Sequence, residues 1–133
     1  MALELEIVSP EKLLLSRAVE MVVIPAAEGE MGVLERHAPM LVSLRGGVIT
    51  LYDNGQPTDR LFVAGGFAEV TPERCTVLAN EVLPVSELNA ATAQQRLADA
   101  TTSFDAVDKM DITALDLAMD RIQSAQAMVA AAG

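Results

Sequence analysis

The strongest constraint on the fold is a break in glycine and proline content near Pro84. All six prolines and seven of the eight glycines lie at or before Pro84, whereas residues 86–132 contain neither type and carry thirteen alanines. Gly and Pro mark turns between short strands, and an alanine-rich stretch without them favours helix. The sequence therefore predicts an α+β chain, with a β domain over residues 1–84 and a helical domain over residues 85–133.

Short apolar segments separated by turn residues fill the first domain. Residues 3–8 alternate between apolar side chains and glutamates, as a half-buried strand requires. Asn54-Gly55 is the strongest hairpin signal, although residues 56–60 are expected to lengthen that connection. Eight or more short strands at this spacing indicate a sandwich or a flattened barrel.

Two glycine pairs, Gly46-Gly47 and Gly65-Gly66, are flanked by apolar strand residues. We interpret both as turns or bulges between strands, because glycine inside a strand pattern usually marks such a position. A phosphate-binding loop needs a lysine directly after a glycine, and neither Lys12 nor Lys109 follows one. The glycines therefore do not indicate a nucleotide site.

The alanine-rich domain is predicted to form two antiparallel helices joined by a short loop. The first spans Ser86 to about Phe104, with Ser86 or Asn89 as its N-cap, and Asp111 caps the second. The apolar stripe of the first helix is Ala93, Leu97, Ala100 and Phe104, and that of the second is Ile112, Leu115, Met119, Ile122 and Val129.

The net charge of the chain restricts the kinds of partner that it can bind. Nineteen acidic residues against nine basic ones give the 133-residue chain a formal net charge of −10. Such a chain has no means of neutralising a run of phosphates, so a nucleic-acid binder is disfavoured, and adhesion to anionic lipid is disfavoured for the same reason. The first residues carry no basic or long apolar stretch, and no apolar run approaches the length of a membrane span. We therefore expect an intracellular polypeptide without direct membrane insertion.

Few residues offer chemistry. The chain has one cysteine, Cys75, and one histidine, His37, which exclude an internal disulfide and a metal site built from several thiolates or imidazoles. Glu28 and Glu30 flank Gly29 and are conceivable as an acid/base pair, but nothing nearby indicates the burial that such a pair needs. A solvated acidic loop, or a loop that meets a basic partner, is the preferred interpretation. His37 is best interpreted as a hydrogen-bonded loop histidine. We expect no catalytic residue, no metal site and no cofactor.

An ordered set of motifs along residues 3 to 84 resembles the epsilon subunit of bacterial F-type ATP synthase, the equivalent of the mitochondrial delta subunit. A tail long enough for two helices follows these motifs. The motifs are Val8-Ser9-Pro10-Glu11, Glu28-Gly29-Glu30-Met31-Gly32-Val33-Leu34, His37-Ala38-Pro39, Leu44-Arg45-Gly46-Gly47-Val48-Ile49, Gly65-Gly66-Phe67-Ala68-Glu69-Val70 and Val77-Leu78-Ala79.

The resemblance implies a β-sandwich of about ten strands followed by a two-helix hairpin. It also implies a rotor subunit in the central stalk, bound to the gamma subunit and to the c-ring at the cytoplasmic face of the bacterial cell membrane. The alpha and beta subunits are further partners through the hairpin. In the family, the segments that match here meet the polar loops of the c-ring. They are Glu28, Gly29, Glu30, Met31, Gly32, His37, Ala38 and Pro39.

The helical domain departs from part of this family. Some relatives use a basic second helix to inhibit ATP hydrolysis, whereas residues 86–133 here carry three basic and seven acidic residues, a net charge of −4. An acidic arm is repelled by an acidic partner surface, so weak inhibition is expected. Two other hypotheses stay open: a free-standing β-sandwich enzyme or ligand binder that uses Glu28, Glu30 and His37, and an acidic adaptor of some other ATPase.

Overall fold

The computed structural model describes residues 3–10 and 12–132 of the chain. Eight strands come first, then a short 3-10 helix at Val85–Glu87, and then two helices, α1 at Ala90–Ala106 and α2 at Ile112–Ala132. The strands are β1 (Leu3–Val8), β2 (Leu13–Val19), β3 (Met21–Ala26), β4 (Gly29–Leu34), β5 (Met40–Asp53), β6 (Gln56–Val70), β7 (Arg74–Leu78) and β8 (Val82–Pro84). The predicted β-sandwich followed by two helices is confirmed.

The described residues contain eight strands, against the expected number of about ten, because β5 and β6 are long. They have 14 and 15 residues, and each continues without interruption through its glycine pair. Gly46-Gly47 and Gly65-Gly66 therefore lie inside strands, so the alternative of turns is wrong. The alternative of a bulge fits Gly46-Gly47, where the register between β3 and β5 shifts. β6 pairs with β8 over residues 61–63 and with β7 over residues 67–70, so it changes neighbours at Gly65-Gly66. The positive φ angles there, 116° and 136°, permit this bend because glycine has no Cβ.

The strands follow the hydrogen-bonded order β2-β1-β7-β6-β5-β3-β4, with β8 beside β6. Only β1 and β7 run parallel among these described pairs. The sheet curls so that β2 approaches the start of β6, where Arg17 donates to Thr58 Oγ1 at 2.9 Å and pairs with Asp59 at 2.6 Å. These contacts close the two layers over one core.

The core lies between the layers and follows the alternation predicted from the sequence. Leu3, Leu5 and Ile7 are completely buried, whereas Glu4 between them is exposed. Val22 and Ile24 of β3 and Val77 of β7 meet them from other strands. Each fully buried side chain of this size contributes about 1.5–3 kcal/mol to folding, so this large cluster makes the sandwich the stable body of the molecule.

The Asn54-Gly55 hairpin forms as predicted but with a shorter connection. Asn54 and Gly55 have φ angles of 54° and 74°, the combination that a two-residue type I′ turn requires. β6 begins directly afterwards at Gln56, so the expected lengthening over residues 56–60 is wrong. Pro57 sits beside a register shift between β5 and β6, where Thr58 of β6 has no partner on β5, and a residue without an N–H is tolerated at such a position within a strand.

Both helices begin at side-chain caps. Asn89 Oδ1 accepts a hydrogen bond from the Thr92 N–H at 3.1 Å, and Asp111 Oδ1 accepts one from the Ala114 N–H at 3.1 Å. Asn89 is therefore the cap of α1, and Ser86 lies in the preceding 3-10 helix.

The buried face of α2 differs from the predicted stripe. Ile112 and Met119 are 72% and 53% exposed. The residues that α2 buries are Ala118, Ser124, Ala125 and Met128. Three of these four side chains are small, and at Ser124 the backbone of α2 lies directly against Gly46 of β5.

Candidate functional site

The acidic turn between β3 and β4 forms one end of the sandwich. Ala26 pairs with Gly29, so Ala27 and Glu28 make a two-residue connection. The Ala27 N–H donates to the Ser43 carbonyl oxygen at 2.8 Å and ties the turn to β5. Gly29 has a φ of 142°, a region that disfavours any side chain, although a Cβ there would touch nothing. Gly29 is therefore required for the backbone path that presents Glu28 and Glu30.

Glu28 and Glu30 are exposed, and among the described residues neither makes an ion pair or a side-chain hydrogen bond. Glu30 pairs across the ladder with Pro25, which contributes no charge. Two free carboxylates close together in water form a negative rim. This arrangement suits a cationic partner, whereas general acid catalysis requires a carboxyl group shielded from solvent.

His37 lies at the other end of β4. The strand has six residues, so about 17 Å of extended chain separates Gly29 from Leu34, after which the loop of residues 35–39 leads to β5. The His37 ring is half-buried, and its Nδ1 lies 2.8 Å from the Ala38 carbonyl oxygen. The loop is anchored where the Arg36 N–H donates to the Pro72 carbonyl oxygen at 2.6 Å.

The structure therefore does not bring Glu28, Glu30 and His37 together. Their side chains share no hydrogen bond, and the length of β4 lies between the glutamates and the histidine. A nucleophile or acid/base mechanism needs its groups within hydrogen-bond reach, directly or through one water. The hypothesis of a free-standing enzyme that uses these three residues is not supported by their placement.

A groove of about 530 Å³ extends from the acidic turn along the start of β5. Met31 and Met40 line it beside Glu28 and Glu30, and Leu41 at its edge is 72% exposed. Sequence reasoning missed Met40 and Leu41. The signal that was available is the alternation along β5, where Val42 and Leu44 turn inward and Leu41 must therefore face water.

A second surface, which we call the apolar row, crosses the outer face of the sheet on four adjacent strands. Phe67 lies opposite Leu78, Leu78 opposite Val8, and Val8 opposite Leu13. Phe67, Leu78 and Leu13 are 52%, 48% and 54% exposed. Contiguous apolar side chains on a soluble face typically mark a contact with another protein. Sequence reasoning missed this row, because strand pairing alone aligns residues so distant in the chain.

The described residues contain neither a candidate metal site nor a helix that could span a membrane. Across residues 3–10 and 12–132, no group of three or more His, Cys, Asp or Glu side chains is arranged to hold a metal ion. Neither described helix combines the length and apolar character that crossing a membrane requires. The acidic turn with its groove and the apolar row are thus candidate functional surfaces among the described residues.

Comparison with known proteins identifies the family to which the chain is similar. The model of the family described as ATP synthase, Delta/Epsilon chain, beta-sandwich domain matches residues 2–85. The ATP synthase epsilon chain of Granulibacter bethesdensis is 70% identical over 128 residues, which cover 96% of this chain and 95% of the relative. That of Gluconacetobacter diazotrophicus is 50% identical over 133 residues, covering 100% and 94%.

Solved structures share the fold. A chain in the cryo-EM structure of Euglena gracilis mitochondrial ATP synthase, described as OSCP/F1/c-ring in rotational state 1, aligns with a TM-score of 0.80 at 21% identity. The alignment covers 99% of this chain and 82% of that one. A chain in the Tetrahymena thermophila mitochondrial ATP synthase central stalk/c-ring structure aligns with a TM-score of 0.69 at 14% identity, over 100% and 98%. The chain belongs to the delta/epsilon family of ATP synthase and, within it, to the epsilon chains.

Proposed function

We propose that the chain is a non-catalytic rotor subunit in the central stalk of a proton-translocating F-type ATP synthase. It joins the gamma subunit to the c-ring, so that ion-driven rotation reaches catalytic sites on other chains. The observation that carries the proposal is the pair of unlike surfaces on one closed sandwich. They are the apolar row and the acidic end, by which we mean the turn that carries Glu28 and Glu30 together with the groove beside it. A rigid body with two such surfaces transmits torque between two partners without any chemistry of its own.

The acidic end is assigned to the c-ring. Glu28 and Glu30 offer two unpaired carboxylates, and the groove beside them has apolar walls at Met31 and Met40. A lysine or arginine from a polar loop of the ring fits this chemistry, because its aliphatic stem can lie on the methionines while its charge reaches a carboxylate. Each exposed pair contributes at most about 1 kcal/mol, so the contacts set orientation more than affinity.

The loop of residues 35–39 extends the same assignment. Ala38 and Pro39 are exposed, and the loop continues into the exposed side chains of Met40 and Leu41. His37 holds the loop through its contact with the Ala38 carbonyl oxygen. We therefore include His37, Ala38 and Pro39 in the surface that meets the ring, with His37 in a positioning role.

The apolar row is assigned to the gamma subunit. It lies on β6, β7, β1 and β2, whereas the helical hairpin covers other parts of β5 and β6 around Phe62 and Gly46. Phe67 and Leu78 supply an aromatic and an aliphatic anchor of the kind that dominates protein interfaces. A persistent partner in the stalk explains why these side chains are left facing water in the isolated chain.

The hairpin is assigned a minor regulatory part. Its net charge of −4 opposes insertion against an acidic segment of the beta subunit, and in the structure it rests on the sandwich. The subunit is placed at the cytoplasmic face of the bacterial membrane, where it is held through the c-ring and not through lipid. Any inhibition of ATP hydrolysis by this arm is expected to be weak.

Charge reversal at the acidic end tests the proposal. The double variant Glu28→Lys, Glu30→Lys replaces attraction by repulsion and is expected to weaken binding to the c-ring by about fivefold or more. Proton pumping per ATP hydrolysed in inverted membrane vesicles should fall accordingly. The loss should shrink at high salt, because salt screens exposed charges.

The matched control is Glu87→Lys, which changes an exposed glutamate in the 3-10 helix at Val85–Glu87. It alters the net charge in the same direction without touching the acidic end. Pumping that is equally affected in the control and the double variant, or affected in neither, would contradict the assignment of Glu28 and Glu30 to the ring.

A further inference from the structure

The ladder between β3 and β5 contains a gap. Val23 pairs with Thr50 and Ala26 with Leu44, and the register shifts between these two pairs. Pro25 lies within the gap and has no N–H to donate. It also crowds β5, since a Cβ added at Gly47 would lie 2.7 Å from the Pro25 Cβ.

Gly46 is left with backbone groups that its strand neighbours do not satisfy. On its other side it lies opposite Ala64, whose N–H donates to the Glu81 carbonyl oxygen at 3.3 Å and not to Gly46. The N–H and C=O of Gly46 therefore point toward the gap. Gly46 is buried, and buried backbone groups need partners because an unpaired one carries a desolvation penalty.

The side chain of Gln123 on α2 fills this gap. Its Oε1 accepts the Gly46 N–H at 2.9 Å, and its Nε2 donates to the Gly46 carbonyl oxygen at 2.7 Å. One carboxamide thus reproduces the pair of hydrogen bonds that a neighbouring strand would exchange with Gly46. The helical hairpin is therefore joined to the sheet at one defined residue.

The approach of α2 at this point is as close as the backbones allow. A Cβ added at Gly46 would lie 2.5 Å from the Cα of Ser124, the residue next to Gln123. Ser124 is 7% exposed, and its hydroxyl has no hydrogen-bond partner among the described residues. The close contact between α2 and Gly46 therefore leaves the buried Ser124 hydroxyl unsatisfied. This indicates that other contacts hold α2 in its position.

The other contacts between the hairpin and the sandwich specify position less sharply. Phe62, Ala93 and Met128 form a small apolar cluster, and apolar packing is non-directional. Arg96 pairs with Glu81 through two hydrogen bonds, one of 2.8 Å, but both side chains are partly exposed. These contacts supply attraction, whereas the Gln123 carboxamide requires one register.

We propose that Gln123 is a register lock that holds the helical hairpin in a single docked position on β5. The Gln123 side chain hydrogen-bonds to the Gly46 backbone at the place where Pro25 interrupts the β3–β5 pairing. Undocking requires both hydrogen bonds to break together, so the pair opposes both sliding of α2 along β5 and its release. This inference concerns the chain itself and stands independently of its place in a stalk.

Hydrogen exchange of the isotope-labelled chain, followed by NMR, tests the lock. In Gln123→Glu one carboxylate oxygen can still accept the Gly46 N–H, but the other faces the Gly46 carbonyl oxygen and repels it where the amide donated. This repulsion is expected to undock the hairpin, so the Gly46 amide should exchange about tenfold faster. Magnetisation transfer between the Phe62 ring and the Met128 methyl group should weaken as the hairpin leaves. Amides of β1 at the sandwich core should keep their protection, which separates undocking from unfolding.

Gln126→Glu is the matched control, because Gln126 is exposed on the same helix and makes none of these bonds. Gly46→Ala is a second route to undocking, since its methyl group would meet the Ser124 backbone and no side chain can yield there. The proposal is overturned if Gln123→Glu matches Gln126→Glu in Gly46 exchange. It is equally overturned if Gly46→Ala retains the Phe62–Met128 contact at full strength.

Discussion

At the scale of single residues, backbone geometry explains why certain positions must be glycine. A Cβ at Gly66 would lie 2.0 Å from the Leu78 carbonyl oxygen, and one at Gly46 would meet the Ser124 backbone. The sequence marks these glycines as unusual, but it does not say whether a turn or a close neighbour requires them. Only the paired strands and the docked helix distinguish the two causes.

Cys75 shows how burial controls reactivity at this scale. The side chain is completely buried on β7, and desolvation by burial raises the pKa of its thiol to about 11. Because the thiolate is the reactive form, we expect no labelling by a maleimide reagent at pH 7.5 in the folded chain and full labelling in denaturant. Rapid stoichiometric labelling of the native chain would show that the sandwich opens at β7.

At the scale of secondary-structure elements, the sequence predicts best where the signal is local. The Asn54-Gly55 turn and the caps Asn89 and Asp111 are confirmed, because each depends on a few neighbouring residues. The inward face of α2 was predicted wrongly at Ile112 and Met119. In an alanine-rich helix the faces differ little in hydrophobicity, so the surface against which the helix docks decides which face is buried.

The same limit applies to the candidate interaction surfaces. Exposure of the acidic turn follows from local sequence, since two glutamates flank a glycine there. The apolar row does not follow, because Phe67 and Leu13 belong to separate segments that meet only through β7 and β1. Their alignment is a property of strand register, which a single sequence does not specify.

The ion pair between α1 and the segment before β8 makes docking of the hairpin depend on pH. The Arg96 hydrogen bond lowers the pKa of Glu81, and the coulombic attraction of Arg96 acts in the same direction against desolvation. A lowered folded-state pKa stabilises the fold above the ordinary glutamate pKa, and this stabilisation disappears as the pH falls through the lowered value.

Glu81→Gln should therefore lower the melting temperature at pH 7, and this difference should shrink as the pH falls from the ordinary glutamate range through the lowered pKa of Glu81. Thermal unfolding of the native chain and the variant, followed by circular dichroism across this range, measures the effect. Glu87→Gln is the control, as Glu87 is exposed and outside the ion pair. A difference between native and Glu81→Gln that stays constant with pH would refute the ionic explanation.

At the scale of the whole molecule, a stable sandwich carries a lightly attached arm. The core of the sandwich joins seven strands, whereas the hairpin is held by a small cluster around Phe62, one ion pair and the Gln123 lock. The arm is therefore the part that is expected to move first. We expect its net charge of −4, however, to disfavour insertion into the catalytic head of the proposed complex.

Removal of the arm tests this balance in the assembled complex. Deletion of residues 86–133 is expected to change the rate of ATP hydrolysis by less than about threefold, because repulsion limits inhibition by an acidic hairpin. The measurement is hydrolysis by membranes that contain equal amounts of assembled enzyme. A many-fold rise in hydrolysis would show that the acidic hairpin is a strong inhibitor.

The proposed role of this chain is to link gamma to the c-ring. Its most direct test is affinity purification of the tagged chain from its own cell membranes under mild detergent, followed by mass spectrometry and cross-linking. The account predicts recovery of gamma, alpha, beta and the c subunit in one assembly, with cross-links from the acidic turn to the c subunit and from the apolar row to gamma. Recovery of the chain alone, or of an assembly in which these two surfaces cross-link to neither partner, would contradict it.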